Sequence, residues 1–363
     1  MTGRGVDQIL RTPGDPRLYE SYVGDARRYV ELAEERNGRI TRPVSYSYIW
    51  GNALDELRRI DPDARIINLE TSITESGDWW RGKGINYRMH PDNVPCLTAA
   101  SIDCCVLANN HVLDWGYSGL EDTLRSLHRA GLKTAGAGHD VREAGMPAVI
   151  ELEGTGRVLV FSYGSRTSGI SEEWAASAEK PGVSMIADNP ADDAERIARA
   201  VTAFKRPGDI VVASIHWGSN WGYTIPSEQR ELAHLLIERA GVDVVHGHSS
   251  HHPKGIETHA GKCILYGCGD LLNDYEGIPG NEQYRAELSL MYFVTVDMSA
   301  GQLVGIRMVP MKIQRLSLVR ASPSEALWLK DLLSRECHRL GTEIGLTADL
   351  ALTLSEPPAP APG

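Results

Sequence analysis

The chain has 363 residues, 42% of them hydrophobic and 23% charged, and a formal net charge of −11. That is the balance of a globular protein with a sizeable core, and the acidic excess argues against a nucleic-acid partner, which needs a basic face. No apolar run approaches the roughly 20 residues that span a bilayer, and the opening MTGRGVDQILRTPGDP lacks the apolar centre of a signal peptide, so the expectation is a cytoplasmic protein with no membrane contact. The cysteines, at 96, 104, 105, 263, 268 and 337, form no CxxC pair, which argues against a disulfide framework and a structural zinc knuckle.

The first sixty residues are polar and turn-rich, with helices predicted near 24–36 and 50–59. Short apolar runs then alternate with helical patterns. ARIINLE (64–70) and IDCCVLANN (102–110) read as strands. In 118–131, Leu120, Leu124 and Leu127 share one helical face and Gly131 supplies the stop. Residues 147–153 and 157–164 read as paired strands, 191–206 as a helix and 209–218 as a strand. The helix at 226–241 opens with Pro and closes with Gly. VDVVHGH (242–248) follows as a strand and 255–267 as a hairpin. From about 286 the pattern turns β-rich, with a long antiparallel hairpin, a further strand, and a closing helix at 322–341 capped by Ser322 or Ser324. The class is α/β with layered helices, one domain over 1–354, followed by a disordered Pro/Ala tail over 355–363.

The histidines carry more information than the charge. His216, His246, His248, His251 and His252 fall in two short stretches. In open α/β sheets ligands collect beyond the carboxyl ends of strands, and four predicted strands end in polar clusters: Asn68-Leu69-Glu70; Asn109-Asn110-His111 with Asp114 beyond; His216-Trp217-Gly218; and His246-Gly247-His248 with His251 and His252. Imidazole and carboxylate are ligands of zinc, manganese and iron, and so rich a rim suits two divalent ions about 3.5–4 Å apart. Taken singly, each piece has a structural reading. Glu70 can cap the next element, Asn109-Asn110 can form a turn, and Gly247 and Gly269 can be turn glycines. His128, His234 and His259 fall on ordinary helical or hairpin positions. The joint pattern is what points to metal.

NLE (68–70), LANNHVLDWGYSGLEDTL (107–124), TAGAG (134–138), SIHWG (214–218) and GHSSH (247–251) occur in this order. Together they resemble the CapA family of poly-γ-glutamate capsule biosynthesis proteins, over roughly residues 1–280. The resemblance implies a four-layer α/β/β/α sandwich of the calcineurin-like metallophosphoesterase kind. It implies Glu70 as bridging carboxylate, Asn110, His216 and His248 as metal ligands, His111 as acid/base group with Asp114 orienting it, and His251 as last ligand or substrate contact. The chain departs from the pattern in two places. The family's first strand ends in an Asp that ligates the first metal; here the matching stretch is Met1 to Gly5, so that Asp and the inner strand carrying it are expected ahead of residue 1. A late Gly-Asn pair is Gly269-Asp270 here, with Asn273, Asp274 and Glu276 nearby; this acidic cluster supplies a further ligand or faces water.

Around these motifs lie WWRGKGINYRMHPDN (79–93), with Trp79, Trp80, Arg81, Lys83, Tyr87 and Arg88, and HWGSNWGY, with Trp217, Trp221 and Tyr223; Lys254 follows the histidines. Cationic side chains recognise carboxylates and aromatics clasp flat groups. Lys83, Tyr87, Arg88, Trp217 and Lys254 are therefore candidates for holding a peptide or polyglutamate-like substrate, unless these loops only pack over the sheet. The expected chemistry is hydrolysis or transfer at a phosphate, peptide or γ-glutamyl bond, with His111 protonating the leaving group. Some cytoplasmic CapA-like proteins epimerise lasso-peptide precursors, so the alternative is removal and return of an α-proton at a peptide C-terminus. A third reading is a non-catalytic binding protein. The sequence sets no oligomeric state.

Overall fold

A computed structural model describes residues 1–154 and 156–355. Two helices, Arg27–Asn37 (α1) and Ala53–Ile60 (α2), precede the first sheet. That sheet is parallel, in the order Ile66–Asn68 (β1), Cys104–Val106 (β2) and Lys133–Ala135 (β3), with Gly116–Arg129 (α3) crossing between β2 and β3. A six-stranded sheet follows. Ala148–Leu152 (β4) pairs antiparallel with Gly156–Gly164 (β5); Ile210–His216 (β6) and Val244–His248 (β7) add in parallel. Ile256–His259 (β8) and Lys262–Leu265 (β9) close it as a hairpin, giving the order β8–β9–β7–β6–β5–β4. The crossover helices are Pro190–Phe204 (α4), capped by the Asn189 side chain, and Ser227–Glu238 (α5). Every residue of β6 is buried, as a strand covered on both faces requires.

Side-chain alternation along the strands builds the layers. Cys105 and Leu107 face Leu120 and Leu124 of α3. Cys104 and Val106 point the other way and pack between the sheets with Val158, Val160, Val212 and Val244. On the far side, Phe161, Val211 and Ile215 meet Ile197 and Val201 of α4 and Leu232 and Leu236 of α5. The cysteines are all free.

The C-terminal part is an antiparallel sheet: Leu288–Asp297 (β10), Gln302–Ile313 (β11) and Leu318–Arg320 (β12), then Pro323–His338 (α6). Ser322, not Ser324, caps α6, in a reciprocal capping box with Glu325. Two strands not read from the sequence, Glu343–Leu346 (β13) and Leu352–Ser355 (β14), complete this sheet. Ser355, expected to open the tail, thus ends a strand; 356–363 lie outside the described residues. Among the described residues β1 and β10 are both sheet edges. Together they border a cavity of about 520 Å³ that also reaches Met1, Glu70, His248 and Asp270.

The N-terminal segment is locked by one buried cation. Arg4, in the left-handed region at φ 46°, donates to Asp274 (Nη2–Oδ1 2.5 Å, Nε–Oδ2 3.0 Å), to Glu20 (2.9 Å) and to Tyr29 Oη (3.0 Å). Its guanidinium also lies 3.8 Å from the Tyr29 ring centroid and 4.2 Å from that of Tyr87. Removing the cation leaves two buried carboxylates uncompensated. Arg4→Met should therefore cost about 3–5 kcal/mol in urea denaturation monitored by circular dichroism; a loss below about 1 kcal/mol would mean that Arg4 does not anchor this segment.

Candidate functional site

The parallel register of β6 with β7 pairs Ser214 with His246, Ile215 with Gly247 and His216 with His248. Period-2 alternation then places Ser214, His216, His246 and His248 on one face. Gly247 is a strand residue, not a turn. A Cβ there would stand 2.6 Å from the Leu265 and Tyr266 carbonyl oxygens, so only glycine lets β9 and its extension approach.

The polar atoms of this face form a chain. His246 Nδ1 is 2.9 Å from Ser214 Oγ, Ser214 Oγ 2.9 Å from His248 Nε2, His248 Nδ1 2.7 Å from His216 Nδ1, and His216 Nε2 3.2 Å from Asn110 Oδ1. With the Asn110 oxygen facing His216, one proton assignment satisfies every contact: each group, the hydroxyl included, donates toward Asn110, His246 to Ser214, Ser214 to His248, His248 to His216 and His216 to the amide oxygen. Burial holds these imidazoles neutral. His246 is pushed down to about 4, and His216 and His248 lie well below the usual histidine range.

Glu70, one residue past the Leu69 that follows β1, is buried. Its Oε2 accepts from Asn68 (2.9 Å), while Oε1 lies 3.8 Å from His216 Nε2 and 3.9 Å from His111 Nε2. Burial pushes its carboxyl up to about 7, against the pull of His251 and Lys83. The two asparagines divide the two roles open to them. Asn109 builds the turn, accepting from His111 and Val112 N–H (3.1 and 3.0 Å) and donating to Asn68 Oδ1 and the Leu69 carbonyl (3.0 and 2.9 Å). Asn110 turns its oxygen to His216.

Asp114 Oδ2 sits 2.7 Å from His111 Nδ1 and accepts from Tyr87 N–H at 2.6 Å, and the carboxylate is also paired with Lys83. Burial, with Lys83 adding to it, outweighs Asp114 and pushes His111 down to about 4. His251 is the opposite case. Asp270 meets its Nδ1 at 3.1 Å through both oxygens and receives Asn273 Nδ2 at 3.0 Å. Burial alone would lower His251, but Asp270 prevails and its pKa is raised. The expected acidic cluster does not face water. Asp270 serves His251, Asp274 serves Arg4, and Glu276 accepts the Arg315 and Leu316 N–H groups (2.8 and 2.6 Å).

The structure thus brings Glu70, Asn110 and His216 to one point, with His111 and the His251–Asp270 pair beside Glu70. His248 stands behind His216 with both nitrogens engaged. Neutral imidazole, amide oxygen and carboxylate form a donor set that suits a borderline divalent ion. The amide is needed to complete it: among the described residues the one trio of His, Cys, Asp or Glu donors within 4.8 Å lies elsewhere, at His234, Glu257 and His259.

Two substrate candidates are structural. Arg88 is buried over the Trp115 ring (3.7 Å) and donates to the Ser76 and Asp15 carbonyls (2.7 Å each). Trp217 is buried in the core and donates to the Tyr266 carbonyl at 3.0 Å. Lys83 is taken up by Asp114, and Tyr87 is buried between Arg4 and His111, its ring edge-on to the imidazole at 4.7 Å. Lys254 is buried, which lowers its pKa, and it has no carboxylate partner among the described residues. The aromatic wall is instead Trp221, Tyr223, His252 and Tyr284, with His252 stacked on Tyr284 at 4.6 Å and Trp221 5.3 Å from His251. Tyr284, in the stretch after 276, had no motif to mark it.

Residues 1–275 match the family described as bacterial capsule synthesis protein PGA_cap. The chain is 49% identical over 346 residues, 95% of its length and 90% of the relative's, to a protein of Mycobacterium tuberculosis named "Probable polyglutamine synthesis accessory protein". It is 27% identical over 282 residues to the PGA biosynthesis protein CapA of Bacillus subtilis, covering 75% of this chain and 67% of that one. The chain belongs to the PGA_cap family. The family match spans the strand ends described above, while β10 to β14 lie beyond it. No helix among the described residues is long and apolar enough to cross a membrane.

Buried neutral imidazoles in this PGA_cap chain set a pH dependence. Histidines titrate near 6.5 when unfolded, so each contributes stability that is present above about pH 6.5 and lost as pH falls toward its folded value, about 4 for His111, His246 and His252. Glu70 acts in the opposite sense between about pH 4.3 and its folded value of about 7. The histidines outnumber it, so unfolding free energy of the metal-free protein should fall between about pH 6.5 and 4. His246→Gln should flatten that slope by up to about 1.4 kcal/mol per pH unit; denaturant titrations at several pH values with an unchanged slope would refute the assignment.

Proposed function

We propose that this chain is a metal-dependent enzyme acting on a polyglutamate-like, amide-linked chain, by hydrolysis or transfer. The observation that carries the reading is the convergence of Glu70 Oε1 and Asn110 Oδ1 on the outward nitrogen of His216. The names of its relatives support a setting in polyglutamate-type polymer synthesis. Helices packed outside two sheets that share an apolar layer support the four-layer metallophosphoesterase-like reading.

One or two divalent ions (manganese, zinc or iron) would be held by Glu70, Asn110 and His216, with His248 as a further ligand in exchange for its bond to His216. When bound they supply Lewis-acid polarisation of an amide carbonyl and charge to meet substrate carboxylates. The chain's own groups divide the proton work. His251, kept protonated by Asp270, donates to the leaving amine. His111, neutral and steered by Asp114 on Nδ1, offers Nε2 as the base. This reverses the assignment expected for His111, because burial and Lys83 keep a proton off it. Lys254, without a carboxylate partner among the described residues, would meet a substrate carboxylate.

An epimerase would use the same two imidazoles to remove and return an α-proton, and one experiment separates the reactions. Protein loaded with manganese, zinc or iron is incubated with poly-γ-glutamate and γ-glutamyl oligopeptides in D₂O and analysed by mass spectrometry. New termini support hydrolysis or transfer, whereas α-deuteration without cleavage replaces that reading with epimerisation. His216→Ala should lose bound metal and activity together; His251→Gln should keep the metal and lose more than about 100-fold in rate. Full activity in the metal-free His216→Ala protein would overturn the proposal.

A further inference from the structure

The edge strand β8 and helix α5 carry a second cluster that the candidate site does not use. On α5, His234 and Glu238 are four residues apart and share a face; on β8, Glu257 and His259 are two apart and share a face. Where the two faces meet, His234 Nε2 is 3.1 Å from Glu257 Oε1 and His259 Nε2 is 2.7 Å from Glu238 Oε1. The donor atoms of His234, Glu257 and His259 lie within 4.8 Å of one another. Glu257 is buried, with Oε2 held by Tyr266 Oη at 2.7 Å, so Oε1 is oriented toward the histidines. The two imidazoles stack nearly face-on, with centroids 3.7 Å apart and planes within 5°. Ring quadrupoles disfavour that sandwich, so something other than stacking holds the pair.

We propose that His234, His259, Glu257 and Glu238 form a transition-metal site, of the zinc class, that ties the edge strand β8 to α5. Two imidazoles and two carboxylates are the donors of such an ion, and helix i,i+4 with strand i,i+2 spacing supplies them from two rigid elements. Tetrahedral donors around zinc stand about 3.3 Å apart, so the trio, whose donor atoms lie within 4.8 Å of one another, closes by up to about 1.5 Å, the rings tilting toward a common point and Glu238 following His259 as the fourth donor. Arg230, now 2.8 Å from Glu257 Oε1, must leave; its side chain is 45% exposed and can swing into water. The ion takes the place of the protons that His234 Nε2 and His259 Nε2 donate to the two carboxylates, each metal-bound ring being neutral with its one proton on Nδ1.

The test uses the full chain, stripped of metal and titrated with Zn²⁺ and, for its visible spectrum, Co²⁺. Removing His234 and His259 together (His234→Ala, His259→Ala) should abolish about one equivalent of bound metal per chain, while His216→Ala leaves that equivalent in place. His259→Gln, which keeps a hydrogen bond to Glu238 and so spares the fold, should weaken this equivalent at least about tenfold. Tetrahedral Co²⁺ absorption that survives in the His216→Ala protein and disappears in the double variant supports the site. Stoichiometry and spectrum unchanged by either the double variant or His259→Gln would overturn it, whatever becomes of the centre at Glu70.

Discussion

The site depends on the in-phase parallel pairing of β6 with its neighbours. His216 stands opposite Gly164 on one side and His248 on the other, so the carboxyl ends of three strands stop at one level. A one-residue slip of β6 would invert its alternation and send Ser214 and His216 to the face opposite His246 and His248. The register is held by the apolar content of the strands, since Val211, Ala213 and Ile215 must meet α4 and α5 while Val212 faces the inter-sheet layer. The polar groups at the rim are thus positioned by hydrophobic residues that fix the register.

Polar groups buried at such a rim need partners, and the structure supplies them in two ways. The histidines stay neutral and satisfy one another through Ser214 and Asn110. Charges that remain are matched at short range: Arg4 with Glu20 and Asp274, His251 with Asp270, Lys83 with Asp114. Glu70, a buried carboxylate whose hydrogen bond comes from the neutral Asn68 amide, has a raised pKa. An unmet carboxylate beside neutral imidazoles is the electrostatic condition under which a cation gains most by binding.

Most of the strand-end donors were legible from the sequence because they follow short apolar runs with turn residues after them. Glu70, Asn110, His111, His216 and His251 all fall at such places. Roles were less legible than positions. Arg88 and Trp217 look like substrate groups in a loop sequence, yet the first packs on Trp115 and the second reaches the Tyr266 carbonyl. Asp270 and Asp274 are four residues apart and look alike, but one sets a histidine's proton and the other an arginine's position. His234 and His259 look ordinary on their separate elements and become a cluster only when α5 lies against β8. The strands β13 and β14 escaped notice because each is only four residues long, with too little periodicity to rise above a loop.

Periodicity and turn chemistry are local, so the sequence by itself determined the α/β alternation, the helix ends and the set of polar residues waiting beyond the strands. Which of those residues meet is a long-range matter, decided by sheet order and by packing between the layers. The proton arrangement is longer-ranged still. Whether His111 or His251 holds a proton at neutral pH turns on burial and on Asp114, Lys83 and Asp270, and only the tertiary structure decides which charge stands next to which ring.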